Sequence, residues 1–356
     1  MTEAAELADA GNLQRRLCLE NGSETYGRII EAIVDRLDDT GEPVISLLRQ
    51  DGRPAIGSAV YLRLLGAVHR QVLSDQGAAL RRCFPSAGGR ADPSEAIPLF
   101  FAFVARNQST IAEEMEVNVQ TNEVGRSAVL SAGLRYLSRI VQLPLRLLEV
   151  GASAGLNLWP DLYFVNAGRS HWGPARSSVK LTGMFKEGDP EGEPFTVLSR
   201  RGCDTAPLDA RTDRGRSCLR SFIWPENLDR MARLDNALSM FPGADLDSED
   251  AVRWVARQLA KPSPLSAATV VFHSIVMPYL STEQGEELGT VIQTAGAAAT
   301  EDRPLAWLRL EPTGTYDVVA VSVDIWPQDQ HLTLATCSPH GSEVVWRPAH
   351  GTTPFG

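Results

Sequence analysis

Cysteine pairs are missing. The 356-residue chain holds five cysteines, Cys18, Cys83, Cys203, Cys218 and Cys337, an odd and scattered set without a C-x-x-C pair. That argues against a disulfide framework and against a zinc site, and no metal is expected. No stretch approaches the roughly 20 apolar residues of a membrane-spanning helix, so no membrane partner is expected. The first residues, Met1-Thr-Glu-Ala-Ala-Glu6, lack the basic and apolar layout of a signal peptide, and a cytoplasmic location is the expectation. Basic excess is missing too. The formal net charge is −10, which argues against a nucleic-acid partner, because phosphate binding needs basic patches. The N-terminal part also lacks the period-two alternation that marks strands.

Helical spacing takes its place. Ser23 reads as the cap of a helix whose apolar positions, Ile29, Ile30, Ile33, Val34 and Leu37, form one face. A second helical run covers Val60 to Leu73, and a third begins near Ser94 with Leu99, Phe100, Phe103 and Val104 inward. Pro85 to Pro93 reads as a loop. Residues 1–143 are therefore expected to form an all-helical N-terminal cap domain, and residues 144–356 an α/β domain. Ahead of the boundary, Gln120-Thr-Asn-Glu-Val-Gly-Arg126 leads into the helical run Ser127 to Val141. It reads either as a helix start, with Thr121 or Asn122 as cap and Glu123 on the positive end, or as a polar loop delivered to a cleft.

The chain is organised around Arg146-Leu-Leu-Glu-Val-Gly-Ala-Ser-Ala-Gly-Leu-Asn157. Leu147 to Val150 reads as a short buried strand, followed by a turn with Gly151 and Gly155 and a segment that would open a helix. Glycine allows close backbone approach, and a helix start offers unpaired N–H groups. Two enzyme classes fit. Glu149-Val-Gly-Ala-Ser-Ala-Gly155 is similar to the acidic-x-Gly-x-Gly-x-Gly cofactor loop of class I S-adenosylmethionine-dependent methyltransferases, with serine in the middle place. Gly151-Ala-Ser153-Ala-Gly155 also spells the G-x-S-x-G elbow of serine hydrolases, which would need His331 or His340 as partner.

Later segments bear on that choice. Phe222 to Leu238 reads as a helix entered at Trp224-Pro225. Gly243-Ala-Asp-Leu-Asp247 is a turn into a helix around Val252 to Leu259. Ala268 to His273 is a near-continuous apolar run, as in a central parallel strand, and Pro304 to Leu310 is another strand. Tyr316 to Trp326 and His331 to Cys337 flank Pro327-Gln-Asp-Gln330 as an antiparallel hairpin. A hydrolase elbow needs strands and an oxyanion loop before it, and the residues before Arg146 read as helical with no H-G-G-G segment. The pattern therefore favours a Rossmann-like class I methyltransferase sheet. A non-catalytic ligand-binding protein stays open as a third class.

Several of these segments together resemble a bacterial domain-of-unknown-function family, number 2332. They are Gln120 to Arg126, Leu148 to Asn157, Arg201-Gly-Cys-Asp204, Trp224-Pro225 with Arg230 and Arg233-Leu-Asp235, Val271-Phe-His-Ser274 and Ala335-Thr-Cys-Ser-Pro-His-Gly341. The resemblance covers nearly the whole chain and implies a methyltransferase-like core without an assigned reaction. It places Glu149, Gly151, Ser153, Gly155 and Asn157 at the cofactor loop. Asp204 would be the acid closing the second strand, which binds ribose hydroxyls. The usual interval to that acid is about 20 residues, so an insertion near 160–200 is inferred, with Asp161 as the rival. Asp245 would accept the adenine amino group. His273, Ser274 and Tyr279 fall after the fourth strand, with His273 or Glu123 as base; His273 also reads as a satisfied histidine at a strand end. Trp224 or Tyr279 would face the sulfonium, and Asn122 and Arg126 the substrate. The expectation is an S-adenosylmethionine-binding enzyme acting on a small molecule.

Overall fold

Burial follows the period of each stretch. The computed structural model describes residues 3–74, 78–261, 266–314 and 317–350. Its contacts divide the chain into two units, 1–121 with 212–232, and 122–211 with 233–356.

The first unit is helical and shows no strand among the described residues. Its helices include Glu3–Glu20, Glu24–Val34, Pro43–Gln50, Val60–Leu73, Ala96–Arg106, Gln108–Met115 and Asp213–Ser221. Ile29, Ile30, Ile33, Leu64, Val68, Phe84 and Phe100 fill one core. Polar bonds explain why 212–232 joins this unit. The buried His69 ring bonds the Ser221 carbonyl at 3.1 Å, and burial pulls its pKa down to about 4. Arg70 donates to the Ser221 hydroxyl at 2.9 Å. Ser23, expected to cap its helix, makes no side-chain cap bond. Its hydroxyl donates instead to Glu226 at 2.6 Å, and the same carboxylate takes the Thr25 N–H at 2.9 Å. The cap is supplied from a distant segment.

The second unit carries the strands β1 (Leu145–Val150), β2 (Phe164–Asn166), β3 (His171–Trp172), β4 (Lys180–Thr182), β5 (Phe185–Glu187), β6 (Val197–Asp204), β7 (Leu246–Ser248), β8 (Ala268–Ser274), β9 (Leu305–Pro312), β10 (Val319–Trp326), β11 (Gln330–Cys337) and β12 (Val344–His350). Nine of them form one sheet in the order β5-β12-β11-β10-β9-β8-β1-β6-β7, and β3-β2-β4 form a small second sheet. The run β7-β6-β1-β8-β9 is parallel throughout. From β9 to β12 the strands are antiparallel neighbours in chain order. The expected pairing of β10 with β11 is therefore present; Tyr316, read as the start of that strand, lies outside the described residues.

Two features differ from the sequence reading. The stretch 122–143, expected with the N-terminal helices, belongs to the sheet unit. Its helix Ser127–Val141 approaches β9 so closely that a Cβ on Gly133 would lie 2.9 Å from Leu308 Cδ1. The glycine turn after β1 opens no α-helix; only the single 3-10 turns Leu156–Leu158 and Pro160–Leu162 follow. Pro160 disfavours helical dihedrals at the residue before it, and Trp159 sits at φ −115°. The span expected as an insertion near 160–200 holds β2 to β5, and β6 then pairs in parallel with β1.

Helix Thr282–Ala297 packs on this sheet through Gly296, where a Cβ would meet three Trp326 ring atoms at 2.4, 2.7 and 2.8 Å. Gly296→Ala gains about 1 kcal/mol of helix propensity but overpacks a site worth about 1–3 kcal/mol. A rigid indole cannot bend away as a long side chain can, so overpacking wins. Urea unfolding should show a net loss near 1–2 kcal/mol; a gain would refute this packing.

Candidate functional site

β1 is buried along its whole length, and the chain leaves it toward β6 on one side while β8 lies on the other. That reversal is the topological switch point, where parallel sheets open a crevice at the carboxyl ends of their strands. The turn Gly151–Gly155 and the turn Ile275–Met277 sit at those ends.

Both turns hold a residue in the left-handed region, Ser153 at φ +53° and Ile275 at φ +55°. For a β-branched residue this is strained. Each turn is held by a carboxylate from the next strand outward. Asp204, closing β6, accepts the Ser153 N–H at 2.9 Å and, through its other oxygen, the Ala206 N–H at 2.9 Å. Glu311, on β9, accepts the N–H groups of Val276 at 2.9 Å and Met277 at 3.3 Å. The two loop glycines serve close packing: a Cβ on Gly151 would meet Val276 Cγ2 at 2.4 Å, and one on Gly155 would meet Ala244 Cβ at 2.6 Å.

Glu311 also takes the Nδ1–H of His273 at 2.6 Å, while Trp307 Nε1–H donates to His273 Nε2 at 3.0 Å. Both ring nitrogens of this buried histidine are engaged. The satisfied strand-end reading fits this geometry, and His273 has no nitrogen to offer an acceptor. Sequence reasoning did not single out Glu311 as a site residue, because nothing local shows a carboxylate turned back onto three donors.

Glu149 is 2% exposed, and its Oε2 has no hydrogen-bond partner. Burial, and next the charge of Asp204, push its pKa well above the ordinary value of 4.5, against the pull of Arg126. The fold therefore favours the protonated form of this carboxyl.

Three loops meet beside it. Asn122 Oδ1 accepts the Leu156 N–H at 2.9 Å, and the Ser127 hydroxyl donates to Asn157 Oδ1 at 2.6 Å. Arg126 donates from Nε to the Pro339 carbonyl at 2.8 Å and from Nη1 to the Ser274 carbonyl at 2.9 Å. Glu123 accepts the Gly125 N–H at 2.9 Å. Arg233 and His340 each lie 3.5 Å from its carboxylate. Glu123 thus caps the short 3-10 turn Val124–Arg126 and also sits in a polar cluster.

Other expected residues lie elsewhere. Asp161 is paired with Arg200 at 2.8 Å. Asp245 is exposed ahead of β7, and its carbonyl accepts the Gly202 N–H. Tyr279 is 74% exposed. Trp224 packs against the core of the helical unit. Beside the glycine turn, Ala154, Leu208, Phe241, Ala244 and Leu246 line a cavity of about 180 Å³ with Asp209 and Arg211 at it. No group of three or more metal-ligating side chains occurs among the described residues.

The family model described as "Uncharacterized protein conserved in bacteria (DUF2332)" matches residues 9–346. The chain belongs to this family. No curated protein and no solved structure matches it. For this DUF2332 chain the site must therefore be argued from its own residues. No helix among the described residues is long and apolar enough to cross a membrane.

Glu149 generates a pH test. The folded protein keeps its proton above 4.5, whereas the unfolded chain releases it near that value. The associated stability is whole below the unfolded pKa and is lost as pH rises through the folded one. Glu149→Gln should match the parent near pH 4 and exceed it near pH 8 in urea unfolding. A variant less stable than the parent near pH 8 would contradict the raised pKa.

Proposed function

We propose that this protein is an S-adenosylmethionine-binding enzyme that transfers a group, most simply methyl, to a small molecule. One observation carries the reading. The strand order β7-β6-β1-β8-β9 puts a glycine turn at the switch point, with an acid closing the neighbouring parallel strand. This order supports the reading of a Rossmann-like methyltransferase sheet. The sequential antiparallel strands after β9 and the missing helix after β1 are departures from it.

The residues fit the cofactor in part. The backbone of Gly151 to Gly155 would hold its methionine and ribose part, and the cavity lined by Ala154, Leu208, Phe241 and Ala244, with Asp209 and Arg211 at it, its base. Asp204 spends both oxygens on backbone N–H groups, so its role here is to position the loop. When bound, the cofactor supplies an electrophilic carbon on a sulfonium. Such transfer depends on alignment and water exclusion, which suits a crevice whose turns are both fixed by carboxylates.

Serine hydrolysis has one observation in its favour, the left-handed dihedral of Ser153, as in a strained elbow. Ser153 itself and His331, one of its two candidate partners, speak against it. Ser153 is 5% exposed, and its carbonyl is held by the Leu208 N–H. His331 opens β11, four strands away from β1, roughly 19 Å at the spacing of paired strands. It also lies at the opposite strand end and pairs with Asp324 at 3.0 Å.

The test is a thermal shift with S-adenosylhomocysteine. A ligand bound only to the native state stabilises it by about 2.7 kcal/mol at a hundredfold excess over Kd. Gly151 cannot be probed by a larger residue, since its side-chain space belongs to Val276. Ser153→Gly is the better variant, because glycine takes positive φ freely where other residues spend about 1–2 kcal/mol. It should melt at or above the parent and keep the shift. No shift in the parent at millimolar ligand would refute the reading, and fluorophosphonate labelling lost in Ser153→Ala would favour the hydrolase.

A further inference from the structure

Two sequence motifs that the cofactor loop leaves unused, Gln120 to Arg126 and Ala335 to Gly341, interlock in the sheet unit through their stretches Glu123–Arg126 and Ser338–Gly341. Their contact is backbone against backbone. A Cβ on Gly125 would fall 2.5 Å from the His340 carbonyl oxygen, and one on Gly341 would fall 2.7 Å from both Arg126 Cα and the Gly125 oxygen. Neither loop tolerates a side chain at its crossing point. The Ser338 hydroxyl accepts the N–H groups of His340 at 3.3 Å and Ser342 at 3.2 Å, which fixes the turn that carries the imidazole. Arg126 ties the crossing to Ser274 at the end of β8. A third motif enters through Arg233, at 3.5 Å from Glu123 Oε1.

This assembly fixes one pair of side chains. His340 Nδ1 stands 3.5 Å from Glu123 Oε2; the imidazole is 35% exposed and the carboxylate 4%. A buried acid behind an accessible imidazole is the arrangement by which a carboxylate orients a histidine base, and such contacts are often long without substrate. His273, with both nitrogens engaged, cannot fill that role.

We propose that Glu123 and His340 form the proton-accepting dyad for the acceptor, an alcohol or amine carried in as a small molecule; this rests on the transferase reading above. The acceptor's oxygen or nitrogen forms its bond to the methyl carbon, the carbon–sulfur bond gives its electron pair to sulfur, and the acceptor's proton moves to His340. The imidazolium that results is balanced by Glu123. Gly125 and Gly341 are needed because the pair must be held before the acceptor arrives.

The first arm of the test uses the protein without cofactor. Diethyl pyrocarbonate acylates neutral imidazoles, and peptide mass spectrometry compares His340 with the exposed His171. Glu123→Gln should lower the rate at His340 several-fold relative to His171; an unchanged ratio overturns the dyad. The second arm follows S-adenosylhomocysteine release from S-adenosylmethionine with a protein-free extract of small metabolites as acceptor source. His340→Gln should bind S-adenosylhomocysteine within twofold of the parent by calorimetry, melt near it, and lose release by at least about 100-fold. Release within twofold of the parent overturns the dyad and leaves the transferase reading standing. A parent that binds no S-adenosylhomocysteine overturns both, and a parent that binds it but releases nothing overturns the dyad.

Discussion

The guanidinium of Arg126 is the joint on which the strand ends of the sheet unit depend. Taking a guanidinium out of water costs several kcal/mol unless each donor finds an acceptor. Here the acceptors are backbone carbonyls of Pro339 and Ser274, reached from a residue 213 and 148 positions away in sequence. Hydrogen bonds from a charged donor contribute about 1.5–3 kcal/mol each, enough to hold loops that share no strand pairing. The same charge pulls the Glu149 pKa down, yet burial and Asp204 outweigh it and the net shift is upward.

Much of the fold was legible where a segment is long and its burial one-sided. Val60–Leu73 and Ser127–Val141 were read with the bounds they have, since about four turns of amphipathic spacing leave little choice. Ala268 to His273, a near-continuous apolar run, was read as a central strand, and β8 pairs with β1 and β9. Short helices such as Pro43–Gln50 and Gln108–Met115 offer barely two turns of pattern, and they were missed. β12 escaped too, because its place at the far side of the antiparallel run is set by pairing with β11 and β5 and not by its own residues.

The site was legible as motifs and illegible as partners. Glu123 and Arg126 stood out because polar residues crowd the run Gln120 to Arg126, and Asn157 because it ends the glycine-turn motif. What each does is decided by groups far along the chain: Asn157 receives Ser127, Glu123 meets Arg233 and His340, and Asp204 reaches back to Ser153. Asp204 seemed too late in sequence to close a second strand. The small sheet β3-β2-β4 accounts for the delay, since it occupies the connection that an α-helix would otherwise fill. Glycine was read as room for a ligand, whereas Val276 and Ala244 take that room at Gly151 and Gly155.

The strained residues carry the last step. A left-handed non-glycine residue costs of order 1–3 kcal/mol and persists only where its surroundings over-determine it. Ser153 and Ile275 occupy that region at the ends of two adjacent parallel strands, on either side of the switch point. Neither is needed to close a hairpin, for both strands continue into long connections. Each is opposed by a carboxylate from the next strand outward, Asp204 for the first and Glu311 for the second, and bonds of that kind are strong enough to offset the strain. Two separate carboxylates maintaining strain at one crevice, with no such demand from the sheet itself, are better explained by a surface the crevice must present than by folding alone. That surface is bordered by backbone held in place from behind, and it is the reason the proposed chemistry is assigned to the ends of β1 and β8.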